Sequence, residues 1–274
     1  MSLSVTSLAS GSSGNALLVR CGDAALLVDC GIPLRTLESL LRYQAAEPCQ
    51  IKALVLTHEH GDHAFSAAAL ARRHKVPVLL NAATRAAMGA ELDGLPVELL
   101  PVGELAAVGP FELRSFRVSH DAADPVGLRV CAAGATVAVA VDLGSWSDET
   151  VENLCGADLI VVEANHDREL LRGSPYPWPI QQRIFGPRGH LDNVQCGELI
   201  ARACGVAACD VWLAHLSQQT NSPKVAAAGV RRVLSLAGVT GVRLGVLPRR
   251  SAKGPTGAPT WRSEDRMLVQ QSLF

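Results

Sequence analysis

One seven-residue stretch, Thr57-His58-Glu59-His60-Gly61-Asp62-His63, carries three imidazoles and two carboxylates, the side chains that bind divalent metals and move protons. Residues 53–56 before it are apolar and of strand length, and a helical pattern follows over 65–74. In an extended segment side chains two apart point the same way, so His58 and His60 can reach one ion together. The turn into the helix aims Asp62 and His63 in a new direction, which supplies ligands to two adjacent ions instead of one. Imidazole and carboxylate donors suit zinc, manganese or iron.

Such a cluster needs rigid elements to carry it. Short runs rich in Val, Leu and Ala, each bounded by Gly, Pro, Asp or Asn, predict strands over 16–20, 24–28, 53–56, 76–80, 111–118, 127–131, 136–141, 159–162, 211–214 and 242–246. Helical patterns fall between them, at 34–42, 65–74, 84–88, 148–154, 194–203 and 223–236. Early strands arrive as hairpins and later ones are separated by helices. That order predicts two mixed β-sheets with helices outside, ahead of one doubly wound parallel sheet. A chain of 274 residues, 48% apolar, can bury one large core, so residues 1–250 are expected to form a single catalytic domain. Residues 251–259 (SAKGPTGAP) read as an extended connector, which sets 251–274 apart as a C-terminal segment packing on the domain or on a neighbour.

No run of eighteen apolar residues occurs, and residues 1–5 lack the basic start and apolar stretch of an export signal. The expectation is a soluble, cytoplasmic protein with no membrane partner. Eight cysteines (Cys21, Cys30, Cys49, Cys131, Cys155, Cys196, Cys204, Cys209) contain no CxxC pair and read as small buried hydrophobes. Net charge is only −1, yet nine cations (Lys224, Arg231, Arg232, Arg243, Arg249, Arg250, Lys253, Arg262, Arg266) meet just two acids from Lys224 onward. This basic tail is either a surface for phosphates or a solubilising face. His74, following Arg72-Arg73 at what reads as an exposed helix end, is expected to be a solvated side chain.

The HxHxDH string resembles the signature of the metallo-β-lactamase superfamily. That resemblance implies an α/β, four-layer αββα sandwich of two mixed β-sheets with helices outside. It also implies further ligands in chain order, each closing a strand: His120, Asp142 and His215. The cofactor implied is a pair of divalent ions, zinc or manganese with iron as a third option. His58, His60 and His120 are assigned to the first ion, Asp62, His63 and His215 to the second, and Asp142 between them. Asp29, in Leu27-Val28-Asp29-Cys30-Gly31, matches an early aspartate that supports the ligand loop and fixes imidazole orientation. By its own surroundings it also suits a turn cap before Gly31.

His60 stands where the diiron flavodiiron branch carries Glu, which argues for hydrolysis. Residues 8–15 (LASGSSGN), 163–167 (EANHD), 176–178 (YPW) with Arg183-Ile184, 189–193 (GHLDN) and His215-Leu216-Ser217 with Asn221 are together similar to the YycJ/WalJ subfamily. Departures are Val141, where a Thr commonly precedes the bridging Asp, and Gln181-Gln182, where a Lys is common; neither removes a ligand. The resemblance implies a phosphodiesterase acting on DNA with 5′ to 3′ exonuclease character, through a metal-bridging hydroxide that Asp62 helps to orient. Glu163, His166 and His190 also resemble the extra acid and histidine positions of RNase Z and related nucleases, with His190 lying 25 residues before His215. His190 would stabilise charge or protonate the leaving oxygen, or else cap the helix starting near Asn193. Ser12 and Asn15 either meet a phosphate or terminal base, or only shape a tight hairpin turn. Arg168, Arg172, Arg183 and Arg188 suit bidentate phosphate contact. The rival expectation is a hydrolase of a small ester, thioester or cyclic phosphate with the same metals and no nucleic-acid role. Oligomeric state is not fixed by the sequence.

Overall fold

The computed structural model describes residues 1–205, 207–249 and 258–265. Their strands are β1 (Leu3–Ala9), β2 (Ala16–Cys21), β3 (Ala24–Val28), β4 (Ile51–Val55), β5 (Val78–Leu80), β6 (Val97–Leu99), β7 (Leu105–Val108), β8 (Phe111–Arg117), β9 (Val126–Ala132), β10 (Ala135–Ala140), β11 (Leu159–Glu163), β12 (Cys209–Ala214), β13 (Val242–Val246) and β14 (Thr260–Arg262). They form two sheets, in the orders β14-β1-β2-β3-β4-β5-β6 and β13-β12-β11-β10-β9-β8-β7. The first is antiparallel from β14 to β3 and parallel from β3 to β6. In the second, β10 to β13 run parallel while β7 and β8 form an antiparallel hairpin. Both sheets are mixed, as the alternation of hairpins and helices predicts.

The described residues divide into two compact units, 1–115 with 130–135 and 258–265, and 116–129 with 136–205 and 207–249. In the first, Leu18, Leu27 and Leu54 of the sheet pack with Leu37, Leu40 and Leu41 of helix Leu34–Tyr43 and Leu70 of helix Ala67–His74. In the second, Ala138, Ile160, Val162 and Leu213 pack with helices Asp148–Leu154, Asn193–Cys204 and Pro223–Leu236. β11 is buried at all five positions, which is why its sequence, Leu-Ile-Val-Val-Glu, shows no polar alternation and ends on a carboxylate that must be satisfied internally.

Besides β6, β7 and helix Arg168–Arg172, which the sequence does not anticipate, four local features differ from expectation for reasons the structure supplies. β1 goes undetected because six of its seven residues are buried, Thr6 and Ser7 included, so no alternating face exists to read. The helix expected over 65–74 is two helices, Gly61–Ala64 and Ala67–His74. The break falls at Ser66, whose hydroxyl donates to the Ile32 carbonyl at 2.6 Å while its N–H donates to Cys30 O at 3.1 Å. Helix Trp178–Phe185 has no buried residue and therefore no apolar stripe to reveal it. His74 is not simply solvated: its Nε2 lies 2.8 Å from Glu38, a pairing with another helix that sequence distance hides. Of the expected C-terminal segment, Thr260–Arg262 pairs with β1, while residues 251–257 and 266–274 lie outside the described residues. No helix among the described residues is long and apolar enough to cross a membrane.

Candidate metal centre

In the first sheet, β3 ends at Val28 and the next residue, Asp29, adopts a left-handed backbone (φ 59°) that turns its carboxylate back across the sheet. Asp29 Oδ1 accepts the Thr57 N–H at 2.9 Å and Oδ2 accepts the Thr57 hydroxyl at 2.9 Å. Oδ2 also lies 2.7 Å from His63 Nδ1. A carboxylate there fixes Nδ1–H as the donor and leaves the Nε2 lone pair, which the Asn15 amide nitrogen approaches, as the candidate ligand atom of His63. Gly31 has no freedom to be anything larger: a Cβ on it would sit 1.7 Å from the Asp62 carbonyl oxygen. That close approach lets Cys30 N–H reach His63 O at 2.7 Å, so the chain after β3 clamps the ligand turn. Loop 10–15 connects the antiparallel strands β1 and β2, and Asn15 is buried in the same clamp. Its amide nitrogen is 3.2 Å from Asp62 O and 2.9 Å from His63 Nε2, and its Oδ1 accepts from Gly11 N–H. Ser12, beside it, is exposed.

In the second sheet the ligand candidates come from strand ends far apart in the chain. Asp142 follows β10 and His215 follows β12, and both are left-handed (φ 55° and 54°). Such backbone costs an L-residue about 1–2 kcal/mol, a strain that persists where the surroundings over-determine it. Glu163, fully buried at the end of β11, is the hub. One oxygen lies 2.8 Å from both His190 Nδ1 and His215 Nδ1, and the other accepts the backbone N–H of Leu143 at 3.0 Å and Leu191 at 3.3 Å. Burial pushes the Glu163 carboxyl up, but the charges and hydrogen bonds of the two imidazoles outweigh that and hold it at about 2. The reciprocal effect acts on His190. Burial opposes its charge, while Glu163 and Asp142, 2.8 and 3.5 Å away, raise it to about 10. His120 Nδ1–H donates to Gly189 O at 3.0 Å, leaving Nε2 as its ligand atom, and burial lowers its pKa. The loop carrying Gly189 is held by Ser119 and Ser145 hydroxyls on Pro187 O.

Within the second unit, Asp142, Glu163, His190 and His215 offer ligand atoms within 4.8 Å of one another, and within the first, His58, His60, Asp62 and His63 stand on one turn of chain between β4 and helix Ala67–His74. Both groups are imidazoles and carboxylates, borderline-to-hard donors whose chemistry fits divalent zinc, manganese or iron. Cys30 is no competitor, since burial keeps its thiol protonated.

Residues 9–167 match the metallo-β-lactamase superfamily. The chain is 35% identical over 237 residues to "Exodeoxyribonuclease YycJ" of Bacillus anthracis, covering 85% of this chain and 90% of the relative. The chain belongs to the metallo-β-lactamase superfamily. A second YycJ/WalJ relative, "Exodeoxyribonuclease WalJ" of Streptococcus pneumoniae D39, is 34% identical over 224 residues, 80% of this chain and 83% of that one. Among solved structures, the metallo-β-lactamase fold protein YhfI of Bacillus subtilis superposes with TM-score 0.73 at 19% identity, over 94% of this chain and 99% of that one. The expected superfamily fold and hydrolase class are thereby borne out.

Against that superfamily frame, the remaining candidates separate. His190 does not cap the helix Asn193–Cys204; Asp192 does, accepting Val194 and Gln195 N–H at 2.7 and 2.9 Å. His166 is not part of the set that Asp142, Glu163, His190 and His215 form. It is buried edge-on to Phe185, with centroids 5.3 Å apart and neither ring nitrogen hydrogen-bonded, and burial lowers its pKa to about 4. Arg168 is 2.5 Å from Asp192, Arg183 2.6 Å from Asp121, and Arg172 pairs with Glu169; Arg188 donates to His120 O at 3.1 Å. In the basic tail, Arg243 forks onto Asp210 at 2.6 and 2.7 Å. Thr57, which ties Asp29 to the ligand strand, escapes sequence reasoning, because nothing about a lone threonine marks it as a bracket.

Proposed function

We propose that the protein is a two-metal phosphodiesterase that degrades DNA as a 5′ to 3′ exonuclease. The observation that carries this reading is His190. A histidine clamped by a buried glutamate, in one set with Asp142 and His215, suits a phosphate that needs both charge neutralisation and a proton donor. The relatives named exodeoxyribonucleases support the substrate class.

His58, His60 and His120 would hold one divalent ion, Asp62, His63 and His215 the other, and Asp142 both. Divalent ions supply Lewis acidity toward phosphate oxygens and lower the pKa of water from about 16 to about 7. The protein's own groups do the rest. Glu163 keeps the Nδ1–H of His190 pointed inward, so Nε2–H faces outward to neutralise charge on the phosphate and protonate the leaving oxygen. Asp62, with 25% of its side chain exposed, is the carboxylate that orients the attacking water, whereas Asp142, at 2%, is confined to binding. Asn15 steadies the Asp62–His63 turn instead of meeting the substrate. We also propose a cytoplasmic setting, supported by five buried cysteines held as thiols.

Metal content measured alongside cleavage of 5′- and 3′-labelled DNA and bis-p-nitrophenyl phosphate tests this. Two metal equivalents per chain and early release of the 5′ label are expected. Robust thioester turnover with neither phosphodiester cleaved would overturn it in favour of a small-ester hydrolase.

A further inference from the structure

A second site lies in the first unit, outside the metal ligands. A cavity of about 540 Å³ opens between the end of β1, the loop after it and helix Leu34–Tyr43. Its floor is apolar, built by Leu8, Ile32 and Leu40, all buried. Its rim is the reverse. Arg35, Ser39 and Arg42 line it at i, i+4 and i+7, one stripe of the helix, opposite in character to the Leu37 and Leu41 that face the core. No acid is among the described residues that line it. Glu38, the one acid of that helix, is paired with His74 at 2.8 Å and Arg73 at 3.3 Å, with a weaker electrostatic pull from Arg42, and lies outside the cavity lining. An apolar floor wide enough for a ring system, with two arginines on its rim, suits a flat base joined to a phosphate.

We infer that this cavity is a subsite for a nucleoside monophosphate group, a proposal that rests on the nuclease reading and names where a nucleotide of the substrate is held. Its place supports the assignment. Ser13 lines the cavity two residues before Asn15, the residue whose amide contacts Asp62 and His63, and Ile32 lines it directly after Gly31, which packs on the Asp62 backbone. An occupant therefore touches both strands of chain that clamp the ligand turn. The nucleotide is either the terminal residue of a bound strand or a free product.

Two variants test this without touching the metal ligands: the double substitution Arg35→Gln with Arg42→Gln, and Ser39→Trp, which fills the cavity and keeps both charges. Both are expected to retain metal content and bis-p-nitrophenyl phosphate turnover. Titration of the metal-loaded enzyme with 2′-deoxyadenosine 5′-monophosphate should show affinity lowered at least tenfold in each. A tenfold rise in KM for 5′-phosphorylated DNA, with 5′-hydroxyl DNA unmoved, identifies the strand terminus as the occupant; loss of mononucleotide affinity with both KM values unmoved identifies the free nucleotide. Unchanged mononucleotide affinity and unchanged KM in both variants overturn the subsite. Should the wild-type protein cleave no DNA, the nuclease reading falls, and the mononucleotide titration alone still decides the cavity.

Discussion

Asp29 and Glu163 perform the same physical task in the two units, by different means. Each is a buried carboxylate at a strand end, Asp29 one residue past β3 and Glu163 the last of β11, and each accepts backbone N–H while orienting imidazole through Nδ1. Asp29 serves a compact target, because His58, His60, Asp62 and His63 come from one turn of chain and only the turn needs holding. Glu163 serves a dispersed one. His190 and His215 lie 25 residues apart and meet on a single carboxylate oxygen, so Glu163 sets where two otherwise independent segments stand. A local motif carries most of its geometry in its own backbone, and the carboxylate behind it refines that geometry. A dispersed set has no geometry until the carboxylate and the strand ends supply it.

Breaking a ligand on the compact side should have the largest effect. Asp62→Ala is expected to lose one of two metal equivalents and at least about a thousandfold in turnover of bis-p-nitrophenyl phosphate. Full turnover with one metal would sink the two-metal reading. Glu163→Gln and Asp29→Asn compare the two supports directly. Loss of an outer carboxylate typically costs about 10- to 100-fold in metal affinity or activity, and the dispersed side should suffer more. We expect Glu163→Gln to lower kcat toward the upper end with metal retained, and Asp29→Asn to act chiefly on metal affinity, read by chelator competition. Equal effects on the same parameter would erase the contrast. His190→Ala should keep both metals and lose rate; wild-type turnover would remove it from the mechanism.

Two smaller effects sharpen the comparison through stability. Gly31→Ala forces Cβ against Asp62 O and should cost about 1–3 kcal/mol in urea unfolding. Gly144→Ala makes the matching test on the dispersed side, where Cβ would come 2.3 Å from Gly189 N. His166 predicts a pH dependence. Its pKa is lowered from 6.5 to about 4, so the unfolded chain takes up a proton in that window and the folded chain refuses it. Stability from this group is full above about pH 6.5 and falls as pH drops toward 4. His166→Phe should flatten that part of the Tm-against-pH curve; an unchanged slope shows that His166 is already satisfied in solution.

The compact half of the centre could be read from residue order, since the strand-to-helix turn after Leu56 is a local event and spacing alone fixes which side chains face together. Asp29 was legible only by resemblance, and its bracket Thr57 not at all, because a hydrogen bond across β3 and β4 depends on their parallel register. Glu163 was picked out as catalytic, yet its full burial and four partners make it a positioning group, a distinction that burial decides and residue type does not. The arginines around His190 likewise look free in sequence, and the fold pairs three of them with Asp192, Glu169 and Asp121.

By itself the sequence determined the superfamily, the mixed sheets and the donor types, because apolar periodicity and an uninterrupted HxHxDH string are properties of neighbouring residues. Tertiary structure decided which carboxylate holds which imidazole, and where Asp29, Asp142 and His215 take up left-handed backbone. Those outcomes depend on strand order and register, which join residues 27 to 52 positions apart and leave no trace in the spacing of any one segment.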